Sequence, residues 1–219
     1  MRMDTVFFDA DGVLIDSSLL AWSAARELLS LFGKAPCINN SAEYKRHFGR
    51  DAQVRLAGEE GASALRAMHR VLMLHRCDRI RPFADVVDVA NTLSIPAVIV
   101  TGAYAVGIRR TLGTSAANFR DIFGREHGSK TELLARFAKG RNEIYICDTV
   151  KDVMLCRHLR IRCVAVTWGY DTADDLSACC PDYLLGSVAE LVRLLQNFGV
   201  IRDDNNCGKG STAAESSNR

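Results

Sequence analysis

Two aspartates one residue apart, Asp9 and Asp11, close a short apolar run in VFFDADGVLID, and Gly12 follows them directly. Alternate residues of a strand point the same way, so both carboxylates can converge on one small volume while the glycine lets the chain turn away. Carboxylates that close repel one another unless a cation or a shared proton relieves them. A plain turn is the competing reading of these residues, because Asp and Gly gather after strands for conformational reasons alone. Polar residues also end two further apolar runs: Thr101, Gly102 and Ala103 follow AVIV, and Asp148 follows EIYIC, with Asp152 four residues on. Lys130, in GSKTELL, stands between those two runs where a helix begins. Such a set suits attack on a phosphate ester. Carboxylates alone would repel the ester's negative charge, so a divalent metal has to bridge the two, and hard aspartate oxygens favour Mg2+.

The elements that must position these groups are legible in outline. Val6, Phe7 and Phe8 carry no polar interruption, as expected of a central parallel strand buried on both faces. Its C-terminal edge is where open α/β sheets bind their ligands. Ser17 to Phe32 shows helical spacing and stops at Gly33; a short helix begins at Ser41, whose hydroxyl can cap it. The stretch from Ala52 to His75 is again helical, with Gly58 and Gly61 suggesting a break between two helices. From Pro82 onward strand and helix alternate with short connections. Helices are expected from Asp85 to Leu93, Ala105 to Leu112, Thr131 to Phe137, Val153 to Leu159 and Val188 to Phe198. Strands are expected from Ala97 to Val100, Ile144 to Cys147, Cys163 to Thr167 and Tyr183 to Leu185. This alternation predicts an α/β fold, a doubly wound parallel sheet of Rossmann-like type with a helical segment inserted after the first strand. The division expected is a core of residues 1–16 and 81–201, a helical insertion of 17–80, and a polar, aperiodic, disordered tail of 202–219.

The order of the motifs resembles the haloacid dehalogenase superfamily, in particular its phosphoglycolate phosphatase and β-phosphoglucomutase-like group with a helical cap: the aspartate-x-aspartate strand, the Ser/Thr strand, the lysine and the acidic strand. Less diagnostic stretches extend the likeness over roughly residues 4 to 195, among them FRDIFGREHGSK, VAVTWGY and PDYLLGSVAELVRLL. The resemblance implies an Mg2+-dependent phosphatase. Asp9 is then the nucleophile that forms an aspartyl-phosphate, and Asp11 the acid and base that serves the leaving group and the attacking water. Lys130 balances the transferring phosphoryl group, and Thr101 with the amides of Gly102 and Ala103 donates to it. The metal is held by the Asp9 carboxylate, the Asp11 backbone carbonyl and Asp148, with Asp152 behind them orienting a bound water or Lys130. Residues 17–80 become a cap that reads the substrate, with Tyr44, Lys45, His47 and Arg50 as candidates because HFGR resembles the family's cap turn. Retention of Asp11 favours phosphoryl transfer over dehalogenation, since halide needs no protonation. A phosphosugar mutase of the same superfamily is the alternative enzyme. A catalytically silent binding or regulatory module is the alternative of another class, with Cys147 disabling the metal site where relatives often carry glycine.

With 219 residues, 48% of them hydrophobic, the chain can bury a substantial core. A formal net charge of +2 carries no electrostatic demand for nucleic acid or an anionic membrane. No apolar stretch approaches the roughly 20 residues that span a bilayer, and no leader is recognisable, so a cytoplasmic protein is expected. The eight cysteines are scattered without a C-x-x-C pair, which favours reduced thiols over a disulfide framework. The partner expected is a small phosphorylated metabolite, acted on by a monomer or homodimer.

Overall fold

A computed structural model describes residues 3–31, 33, 40–48, 52–138 and 142–201. In chain order it contains β1 (Thr5–Phe8), β2 (Ile15–Asp16), α1 (Ser18–Leu31), α2 (Ser41–Phe48), α3 (Ala52–His75), β3 (Arg81–Pro82), α4 (Ala84–Thr92), β4 (Ala97–Val100) and α5 (Ala105–Leu112). There follow β5 (Asp121–Phe123), α6 (Lys130–Phe137), β6 (Glu143–Cys147), α7 (Val150–Leu159), β7 (Arg162–Val166), α8 (Ala173–Ala178), β8 (Tyr183–Leu185) and α9 (Val188–Asn197). The main sheet is wholly parallel, in the order β5-β4-β1-β6-β7-β8.

Strand alternation sorts the apolar side chains into two layers. Val6, Phe8, Ile99, Ile146 and Val164 face α4, α5 and α9. Phe7, Val98, Val100, Tyr145, Cys147 and Cys163 face α6, α7 and α8. The runs are apolar throughout because both faces are covered, as read from the sequence. The chain leaves β1 for β4 and β5 on one side and returns to β6 on the other. Such a reversal opens a crevice at the strands' C-terminal ends.

Between β2 and β3 the described residues contain helices only. Those two short strands pair antiparallel, with Asp16 opposite Arg81, so the outgoing and returning chains run side by side. Two expectations need correction. The helix α3 runs unbroken from Ala52 to His75 through Gly58 and Gly61. A glycine costs an exposed helix only about 1 kcal/mol, which tertiary packing of α3 on α1 offsets. At the start of α2, Asn40 takes the capping role expected of Ser41, its Oδ1 accepting from the Glu43 amide at 2.9 Å. The expected tail, residues 202–219, lies outside the described residues. No helix among the described residues is long and apolar enough to cross a membrane.

Candidate active site

Extending the observed pairing of Phe8 with Ile99 and Ile146 by two residues sets Ala10, Thr101 and Asp148 level at the ends of three adjacent strands. Asp9 is buried at the end of β1, where its amide donates to the Ile146 carbonyl at 2.9 Å. Its Oδ1 accepts from the Ala10 amide at 2.7 Å, which fixes the carboxylate plane. Lys130, the first residue of α6, is aimed by a helix start in which Ser129 and Glu132 cap each other reciprocally. Its Nζ donates to Asp9 Oδ2 at 2.6 Å and to Asp152 Oδ2 at 2.8 Å. Asp152 is held in turn by the Thr149 hydroxyl, which donates to the same oxygen at 2.8 Å. Thr149 also caps α7 and so ties that helix's first turn to the site.

Asp148 is fully buried. Its Oδ2 accepts from the Tyr170 amide at 2.8 Å, but its Oδ1 has no hydrogen-bond partner. Gly12, at a φ of +76°, and Gly169 both close on this carboxylate, and a methyl group on either would overlap Asp148 Oδ2. Only glycine combines that left-handed turn with so close an approach. Thr101 is buried, and its Oγ1 accepts from the Ala103 amide at 3.1 Å, leaving the hydroxyl proton to donate outward. Gly102, at the tip of the same turn, is exposed.

Charge in the site is out of balance. Burial raises Asp9 from 3.8 to about 7, against the opposing pull of Lys130. Burial and the Asp9 charge push Asp148 well above the usual carboxylate range. Burial also raises Asp11, opposed by the Ser17 hydroxyl and by Lys130 and His69. Asp152 goes the other way: burial would lift it, but the Lys130 ammonium holds it below its ordinary value. Burial would lower Lys130, yet Asp152 and Asp9 together hold it protonated. One ammonium therefore faces several carboxylates. The orphaned Asp148 oxygen, the adjoining Asp9 and the hard oxygen donor set fit a small divalent cation.

The structure thus gathers Asp9, Asp11, Lys130, Asp148 and Asp152 at one edge, with Thr101, Gly102 and Ala103 in the turn after the neighbouring strand β4. Tyr44 is fully buried in an apolar cluster with Ala21, Ala25, Leu29 and Tyr170, and Lys45 is half-buried. Arg50 and the side chain of His47 lie outside the described residues. Cys147, adjacent to Asp148, turns away from the edge into the layer beneath α7. Its Sγ lies 3.6 Å from that of Cys163, and Cys156 completes a buried group of three sulfurs within 4.8 Å of one another. Alternation along β6 explains this, since neighbours in a strand face opposite ways.

Several residues escaped the sequence reading. Tyr170 bridges the two parts of the molecule: its amide holds Asp148, its ring packs among the α1 alanines, and its hydroxyl lies 2.8 Å from Ser17 Oγ. Asp171 accepts from the Val150 amide at 2.7 Å, pinning the first turn of α7. His69 is buried, with Nε2 2.8 Å from the Ala21 carbonyl, and faces the Asp11 charge. The WGY that follows β7 was the available signal for Tyr170; His69, four residues after Leu65, shares its inward stripe on α3, a spacing the sequence already carried.

The parallel sheet of this order carries acids after its first and fourth core strands and a helix-borne lysine between them. No family model matches the chain. Among curated proteins it is similar to phosphoglycolate phosphatase from Synechococcus elongatus, 26% identical over 205 residues that cover 87% of this chain and 96% of that protein. Among solved structures it resembles a haloacid dehalogenase-like family hydrolase from Streptococcus pneumoniae, with a TM-score of 0.77, 21% identity, and coverage of 89% of this chain and 99% of that one. A predicted phosphatase from Clostridium acetobutylicum gives a TM-score of 0.77 at 18% identity, covering 90% of this chain and 100% of that one. The chain is thus similar in sequence to a phosphoglycolate phosphatase and shares its fold with haloacid dehalogenase-like hydrolases of known structure.

Proposed function

We propose that the protein is an Mg2+-dependent phosphatase that hydrolyses a small-molecule phosphomonoester through an aspartyl-phosphate on Asp9. The observation that carries this reading is the Asp9–Lys130–Asp152 bridge beside an Asp148 oxygen that is buried and unpartnered. The likeness to a phosphatase over nearly the whole of both chains supports it. The Asp9 carboxylate, the Asp11 carbonyl and Asp148 would hold the metal. When bound, the cation supplies the positive charge that lets an anionic ester approach a carboxylate.

In the first half-reaction a bond forms from Asp9 oxygen to phosphorus while the ester bond to the leaving oxygen breaks. Asp11 gives its proton to that oxygen; burial keeps the carboxyl protonated more readily than a solvated one, as a general acid requires. Lys130 offsets charge on the phosphoryl oxygens, and the Thr101 hydroxyl and Gly102 amide donate to them. In the second half-reaction Asp11 takes a proton from water as its oxygen attacks phosphorus, and Asp9 leaves as carboxylate. Residues 17–80 form the cap that excludes bulk water and reads the leaving group. The silent-module alternative loses its ground, because Cys147 points away from the ion's seat.

Phosphate release from p-nitrophenyl phosphate tests the proposal. Wild type should turn over only with Mg2+, and Asp9→Asn should lower kcat by roughly 10³-fold or more. Metal-independent release, or undiminished turnover by Asp9→Asn, would overturn it.

A further inference from the structure

Cys147, Cys156 and Cys163 come from three consecutive elements and meet in the layer between the sheet and α7. Cys147 closes β6, and Cys163 lies near the start of β7, where Tyr145 pairs with Cys163 and Cys147 with Ala165. The two cysteines are thus offset by two residues and face the same side, so their sulfurs meet diagonally, 3.6 Å apart. Cys156 lies on the buried stripe of α7 with Val153. The chain passes from α7 to β7 through Arg160, left-handed at a φ of 58°, and the Ile161 amide donates back to the Cys156 carbonyl at 3.0 Å. That tight connection lays α7 over β7 and brings the third sulfur within 4.8 Å of the other two.

The donor set contains sulfur alone: no histidine or carboxylate joins the group among the described residues. Thiolates select soft ions. Soft-ion bonds to thiolate of about 2.3 Å, the length for zinc, at tetrahedral or slightly narrower angles place neighbouring sulfurs roughly 3.5–3.8 Å apart. Cys147 and Cys163 already match that spacing, and a small inward rotation brings the third sulfur to it. All three side chains are buried in an apolar layer, so the charge of the finished complex decides which ion is held. Three thiolates leave two negative charges around Cu+ and one around Zn2+, and zinc finds no fourth donor among the described residues. Around a trivalent ion they are neutral. A disulfide between Cys147 and Cys163 is neutral as well, but it leaves Cys156 out and requires an oxidant.

We propose that Cys147, Cys156 and Cys163 form a binding site for a trivalent thiophilic metalloid of the arsenite class. Neutral arsenous acid, As(OH)3, condenses with the three thiols: three As–O and three S–H bonds break, three As–S bonds form, and each hydroxyl leaves with a thiol proton as water. No electron is transferred, and no charge is created in the apolar layer. The site is independent of the phosphatase reading, since Cys147 and Asp148 point to opposite sides of β6. Its sulfurs are reached only when α7 lifts, so filling is slower than reaction at the exposed Cys180.

Native mass spectrometry of the reduced full chain, titrated with sodium arsenite and dialysed, reads the site. The expected product gains one arsenic and loses three hydrogens, whereas capture by two thiols, as at the adjacent Cys179 and Cys180, retains a hydroxyl on arsenic. Cys156→Ala should remove the three-sulfur product and weaken arsenite uptake roughly tenfold or more, the scale on which disturbing even a ligand's outer partners acts. Cys179→Ser with Cys180→Ser should leave that product in place. Cys163→Ala, with circular dichroism confirming the fold, answers the same question should Cys156→Ala fail to fold. Absence of the three-sulfur product in wild type, its survival in the folded alanine variant, or its loss in the Cys179 and Cys180 variant overturns the site. Preference of the three sulfurs for Cd2+ over arsenite overturns the assigned class of ion.

Discussion

At the scale of single residues, the unbalanced charge around Asp9 and Asp148 has a consequence for stability. Asp9 is raised from 3.8 to about 7, so the folded protein holds that proton more firmly than the unfolded chain does. The resulting stabilisation is fully present below about pH 4 and is lost as pH climbs through about 7. Mg2+ binds the ionised form and competes with the proton, so it should raise Tm more at about pH 8 than at about pH 5. Equal increments at both, measured by thermal unfolding, would contradict the assignment of Asp9 to a metal site. The positions of Asp9, Thr101, Lys130 and Asp148 were legible because each stands where a strand or helix boundary can be read. Asp152 was legible too, by its four-residue offset along a helix. Tyr170 and Gly169 were marked only by the WGY after β7, and their importance comes from a loop that returns to Asp148 at the end of β6, a contact between segments distant in the chain.

At the scale of elements, the buried strands β1, β4, β6 and β7 announced themselves as unbroken apolar runs. The three-residue β5 and the two-residue β2 and β3 did not, being too short to show a period. The six-residue α8 was hidden for the same reason. Glycines in α3 misled because propensity is a weak prior against packing. The loop after β7 joins these elements through Tyr170, whose ring is the core's contribution to the α1–α2 cluster and whose amide holds Asp148. Tyr170→Ala should therefore cost about 3–5 kcal/mol of stability and weaken Mg2+ binding as well. Tyr170→Phe, which loses the contact with Ser17, should cost about 1 kcal/mol. Urea unfolding and metal titration check both; a loss of stability with unchanged metal affinity would separate the ring's packing from the metal ligand.

At the scale of the whole molecule, the sheet and its two helical layers form a base, while α1 to α3 form an excursion joined to it by the β2–β3 ribbon. Asp16 and Arg81 face each other across that ribbon. Ends so close need only a two-residue reverse turn such as Asn-Gly to be spliced. Deleting 17–80 in this way should shorten the protein without re-routing any strand of the parallel sheet, leaving its far-ultraviolet dichroism recognisably α/β. The shortened protein should still release phosphate from p-nitrophenyl phosphate, though more slowly, and should treat bulky and compact esters alike. Loss of all hydrolysis in a folded deletion would mean that the excursion supplies chemistry as well as selectivity. On the proposed function, the ribbon makes selectivity a detachable part: one base could be refitted with a different excursion at this single splice point.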